Sequence, residues 1–150
     1  MKILLALTAI LLGAAVTPPS GQGQGTYKKD IRPIFEEKCI RCHGPGSPSW
    51  EEFKKDKEKF TKENLGPRMD GYALLLDFVK GKDAGALMRR LDDGSSKEDR
   101  KPGNMYIYLG RDEGERQKNL KIFQDWVGSW NLKRHHQLSE EELSKIEAPE

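Results

Sequence analysis

Five consecutive residues, Cys39-Ile40-Arg41-Cys42-His43, have the types and the spacing to do chemistry together. They spell C-x-x-C-H, the pattern for covalent attachment of a haem. Each position has a physical reason. Two thiols at this separation reach the two vinyl groups along one edge of the macrocycle and form thioethers. The imidazole that follows swings beneath the iron as its axial ligand. Cys39 and Cys42 are the only cysteines in the chain, so no second thiol pair competes for a disulfide or completes a zinc site. A lone C-x-x-C also serves thiol-disulfide enzymes. Those alternate strands with helices, and this sequence shows no convincing strand.

The elements that must position these residues are helical. Asp30 to Cys42 reads as a first helix, with Ile31, Ile34 and Phe35 at i, i+3, i+4 and Pro33 tolerated near its first turn. Gly44-Pro45-Gly46-Ser47-Pro48 then makes a loop beneath the iron, where a carbonyl of Pro45 or Pro48 is expected to accept the free N–H of His43. Ser49 and Glu52 form a capping box for a second helix to about Glu63, carrying Trp50, Phe53 and Phe60 above a solvated face of mixed Lys and Glu. A third helix is expected from Asp70 to Lys80. A short fourth, capped by Asp83, holds Leu87, Met88 and Leu91 and ends at Gly94. The last long helix runs from Asp112 to about Lys133, with Leu120, Phe123, Trp126, Val127 and Trp130 on its apolar stripe. Between them, Gly94 to Gly110 is a long polar loop with Pro102-Gly103 inside it, a length that usually marks function. The tail from His135 is acidic and sparsely apolar. A short helix from Glu140 to Ile146 is expected there, capped by Ser139 and Glu142 and prone to fray.

The bulk properties fit one domain with extended ends. The chain has 150 residues, 26 Lys+Arg against 24 Asp+Glu, and only 35% hydrophobic residues, a thin core for this length that a large apolar cofactor would thicken. So even a balance of charge excludes nucleic acid as a principal partner. Lys2 followed by the apolar run Ile3 to Val16, with small Gly13 and Ala15, reads as a secretory signal peptide over residues 1–17. The run is shorter than the ~20 residues of a bilayer span. Residues 18–26 are a Gly/Pro/Gln linker, 27–134 the domain, and 135–150 the acidic tail. Periplasmic or otherwise exported placement follows, and no transmembrane span remains once the signal is removed.

A haem held by one histidine has a sixth position to fill. Met69, Met88, Met105, His135 and His136 are the candidates. Met88 sits among core positions, the histidines lie in the polar tail, and Met69 stands close to a helix start. Met105 lies in the long loop, from which a thioether reaches across the macrocycle with no helix in the way.

Taken together, the chain resembles the class I, mitochondrial-type cytochromes c and their small exported bacterial members. Phe35 stands four residues before Cys39, as an aromatic does in that family, and C-x-x-C-H, a Pro-Gly loop with a methionine, and an aromatic last helix follow in order over roughly Tyr27 to Arg134. The residue after Met105 is Tyr106 where the family has proline. The resemblance implies an all-α cytochrome c fold of about four to five helices around one covalent haem c. It also implies axial ligands His43 and Met105, and propionate partners among Trp50, Arg68 and Tyr72. The implied role is electron transfer between redox proteins rather than catalysis, with docking through a basic face near Lys38 and Arg41. An open-site haem enzyme or gas sensor, or a cytochrome subunit of a larger complex, is the alternative. Replacing both Cys39 and Cys42 by Ala is expected to leave no haem-stained band on a denaturing gel, where the native chain keeps its haem.

Overall fold

The computed structural model describes residues 25–150. The signal segment, 1–17, and residues 18–24 of the linker lie outside the described residues. The first element is a π-helical turn, Tyr27–Ile31, which passes directly into α1 (Arg32–Lys38) and then α2 (Ile40–His43). Pro33, with no amide to donate, sits just inside α1 after the π turn gives way. The single helix expected from Asp30 to Cys42 is interrupted at Cys39, whose φ and ψ are −117° and −29°. Tyr27, Ile31 and Phe35 lie on one face and are buried. They meet α7 (Glu113–Val127), which buries Leu120, Phe123, Trp126 and Val127. Fully burying a side chain of this size is worth about 1.5–3 kcal/mol. This crossing of the first and last long elements is therefore the main anchor of the fold.

The capping box of Ser49 and Glu52 forms as expected and opens α3 (Trp50–Lys55). The second helix is nevertheless two. At Asp56 the backbone leaves helical geometry (φ −144°, ψ 61°), and the Asp56 carboxylate accepts from the Lys59 amide to cap α4 (Lys57–Lys62). Trp50 stacks on Phe53 at 6.0 Å, Phe53 stacks on Phe60 at 6.2 Å, and Trp50 meets the edge of Phe78 at 5.4 Å. That aromatic row fastens α3 and α4 to α5 (Tyr72–Val79). The fourth expected helix is α6 (Ala86–Leu91), entered through Gly85 rather than capped by Asp83, and ended at Asp92 rather than Gly94. The long loop contains a 3-10 turn, Tyr106–Leu109, and α7 stops at Gly128, short of Lys133. A 3-10 turn, His135–Gln137, and α8 (Glu140–Ser144) complete an all-α fold, with eight α-helices and no strand among the described residues. The excess over four to five arises because each of the first two expected helices is split, and because α8 is the short helix expected in the tail.

The tail departs most from expectation. Ile146 and Ala148 are buried at 2% and 0% exposure. Beyond α8 the chain bonds back to the end of α7: the Glu147 amide donates to Val127 O (2.9 Å) and the Ala148 amide to Trp126 O (3.1 Å). The Pro149 carbonyl accepts from the Tyr27 amide (2.9 Å) and from Trp126 Nε1 (2.7 Å), and Tyr72 Oη donates to Ala148 O (3.0 Å). Packing therefore runs on past Arg134, and the tail supplies acceptors that three buried or half-buried aromatic residues need.

Lys133 Nζ lies 2.5 Å from Glu142 Oε1 and fastens α8 to the segment after α7. That ion pair, with the Ser139 amide, pushes the Glu142 carboxyl down to about 2 from an ordinary 4.5. The folded state favours the carboxylate. Its contribution is full above the ordinary value, fades as pH falls toward 2, and is gone below. Hydrogen exchange, corrected for intrinsic rates, should show protection at the Glu147 and Ala148 amides declining over that window. The same window should be flat in Glu142→Gln.

Candidate functional site

The end of α1 delivers Cys39, and α2 delivers Cys42 and His43. Both thiols are free and half-buried. His43 Nδ1 lies 2.7 Å from the Pro67 carbonyl. A carbonyl only accepts, so this nitrogen carries the proton and Nε2 keeps its lone pair for a metal. The acceptor is neither Pro45 nor Pro48. Pro48 O instead accepts from the Arg68 amide (2.8 Å), and the neighbouring Ser47 Oγ donates to Cys42 O (2.9 Å).

Pro67 reaches the imidazole because residues 66–69 form a strap along the attachment stretch. The Gly66 amide donates to Cys42 O (2.8 Å) and the Met69 amide to His43 O (2.9 Å). Gly66 also lies against the imidazole: a Cβ there would stand 2.1 Å from His43 Cε1. Only glycine admits so close an approach. The need for glycine here is tertiary and leaves no local signature.

Burial holds the His43 imidazole below its ordinary pKa, opposed by the bond to Pro67, so the ring is neutral and able to ligate. Burial, with the neighbouring Cys42, pushes the Cys39 thiol up to about 12. A thiol-disulfide enzyme attacks as thiolate, the form that burial disfavours at Cys39.

Met105 is half-buried and stands directly before the 3-10 turn Tyr106–Leu109. Its amide donates to Arg90 O at the end of α6 (2.9 Å). The turn is held by α7: Tyr106 Oη bonds Glu113, Gln117 Nε2 donates to Tyr106 Oη (2.8 Å), and Asn119 Nδ2 donates to Leu109 O (2.6 Å). The same turn lies against α1, and Met105 and Cys39 both pack on the margin of one core cluster. The other candidates stand elsewhere. Met88 is fully buried core, Met69 belongs to the strap bonded to His43, and His135 and His136 are exposed.

Three other expectations change. Lys38 is turned inward, 10% exposed, paired with Glu37 (2.9 Å) and with Glu115 of α7 (2.5 Å), so of the expected basic pair only Arg41 faces solvent. Arg68 pairs with Asp70 (2.6 Å), and the Tyr72 hydroxyl is committed to the tail. An open groove lined by Ala73, Leu76, Asp77, Lys80, Gly81 and Leu143 contains none of the site residues. No cluster of three or more His, Cys, Asp or Glu able to hold a metal exists among the described residues.

The donor set fits a covalent haem: two free thiols, then a neutral imidazole whose Nδ1 proton is engaged and whose Nε2 is available. The comparisons agree with that chemistry. Residues 26–148 match a family model described as PccH Cytochrome c. The chain is 49% identical to the monohaem cytochrome PccH of Geobacter sulfurreducens, whose solved structure superposes with a TM-score of 0.80 over 85% of this chain and 100% of that one. No curated protein matches.

Gly66→Ala is expected to drive the imidazole off the strap and break its bond to Pro67. The reduced-state spectrum of the purified protein should lose low-spin character, and the holoprotein yield should fall. Gly71→Ala, where a Cβ meets nothing within 4 Å, should leave both unchanged.

Proposed function

We propose, from the premise that the chain belongs to the PccH cytochrome c family, that it is an exported carrier of single electrons with His43 and Met105 as axial ligands. The family carries one covalently bound haem c, and Cys39 and Cys42 are the only cysteines available to hold it. The observation that carries the ligand reading is the 2.7 Å bond from His43 Nδ1 to Pro67 O, which fixes the tautomer and leaves Nε2 to the iron. Met105 is supported by position. The strap accounts for Met69, the core for Met88, and solvent for the two histidines. Met105 alone is half-buried on an element lying against α1.

When bound, the haem supplies a one-electron ferric/ferrous couple, and a thioether opposite imidazole raises its potential relative to harder ligands. The chain's own residues orient the imidazole through Pro67, hold the thioether through Arg90 and α7, and shield both with the α1/α7 core. Two protein ligands leave no site for substrate, which is why the reading is a carrier and not an enzyme. The class I organisation is supported by the packing of the first elements on α7, and export by the apolar segment within residues 1–17. No helix among the described residues is long and apolar enough to cross a membrane. Redox proteins are the partners, and the docking face is centred on exposed Arg41 beside the attachment stretch, with Lys38 internal to it.

The test is the ferric near-infrared spectrum of the holoprotein. A weak sulfur-to-iron band is expected, absent in Met105→Ala and retained in Met69→Ala. Absence of the band in the native protein, with rapid carbon monoxide binding to the reduced form, would establish an open distal site instead.

A further inference from the structure

The geometry points to Asp92 and Trp130 as positioning residues for the distal methionine, holding the neck of the polar loop from which Met105 emerges. The inference rests on the reading of Met105 as an axial ligand. It starts from a buried charge. Asp92 is 1% exposed, and an acid so deeply placed requires partners. Its Oδ1 accepts from the Gly94 amide (2.8 Å), and its Oδ2 accepts from Trp130 Nε1, which arrives from beyond α7 (3.2 Å). Its backbone carbonyl accepts from the Gly103 amide (2.7 Å), and two residues later the Met105 amide donates to Arg90 O (2.9 Å). The approach is close: a Cβ on Gly103 would stand 2.3 Å from Arg90 O. Asn104 Oδ1 accepts from Arg90 Nη1 (2.9 Å), and Gln117 of α7 donates to Asp93 Oδ2 (3.0 Å).

Residues 90–92 and 103–105 thus form one closed neck, gripped from the core side by the indole of Trp130. The exposed, polar residues between them hang from that neck. Met105 is part of the neck and not of the pendant loop. The rigidity needed to keep a weak thioether ligand in place comes from Asp92 and its partners, and the composition of residues 95–101 is free to vary.

Exogenous imidazole binds a ferric haem only when the methionine has left, so its apparent affinity reads the ligand-off population. Trp130→Phe keeps an aromatic ring and deletes one donor. It should raise imidazole affinity about tenfold, equivalent to about 1.4 kcal/mol, and speed exchange of the Gly103 and Met105 amides. Asp92→Asn, which leaves one acceptor for two donors, should act in the same direction, and the double variant should fall short of the sum of the two, since they share the contact. Glu98→Ala, in the pendant loop, should match the native protein. Met105→Ala should bind most tightly of all. If Met105→Ala binds tightly while Trp130→Phe binds as the native protein does, the neck does not position the ligand and the inference is overturned. If Met105→Ala itself binds as the native protein does, Met105 is not a ligand, and the present inference falls with that reading.

Discussion

One hydrogen bond governs the site: His43 Nδ1 to the carbonyl of Pro67. An imidazole has two nitrogens and several orientations, and attachment through Cys39 and Cys42 constrains neither fully. The carbonyl selects the tautomer, and Gly66, whose missing side chain lets the strap lie on the ring, limits the orientation. Backbone bonds from residues 66–69 back to Cys42, His43 and Pro48 then convert the attachment stretch and the strap into one unit. Apart from the imidazole itself and the Ser47 hydroxyl, this side of the site is held by main chain.

The other side is built differently. The Met105 amide bonds Arg90 O, and α7 bonds the 3-10 turn that follows it through Tyr106 and Asn119. Lys38 joins the two sides. Its pairing with Glu115 ties the residue before Cys39 to the first turn of α7. A charge that looked like a docking contact is thus a structural link, and the net effect is to leave the exposed positive charge near the attachment stretch to Arg41.

How much of this was legible in the sequence follows from the range of the interactions. C-x-x-C-H is local and specific, and it singles out Cys39, Cys42 and His43 without any tertiary information. Capping boxes at Ser49 and Ser139 are equally local, and both formed. Apolar periodicity marked Ile31, Phe35, Phe123 and Trp126 as inward-facing, and all four join one core cluster. The breaks at Cys39 and Asp56 were not legible, since neither residue is a breaker by composition. Nor was the acceptor for His43, because Pro67 is nearer than Pro45 only after the chain has turned back. The tail misled for a related reason. Ile146 and Ala148 carry no periodic signal, yet both are buried in the core cluster that holds Trp126 and Tyr27. The family comparisons agree with the haem and with the all-α fold; the identity of the distal ligand is a matter of tertiary geometry.

The tail's bonds also bear on the order in which the fold assembles. The His43–Pro67 contact spans 24 residues, and the Tyr72–Ala148 contact spans 76. With closure costing roughly 0.6 kcal/mol more for each doubling of length, the second demands about 1 kcal/mol more entropy than the first. Short-range closures are also the faster ones. The thiols and the histidine can therefore be gathered by a nascent N-terminal hairpin of chain, while the segment that seals the aromatic core is still searching. Attachment chemistry needs the thiols reachable and roughly arranged, and this chain's topology provides that interval through sequence separation alone.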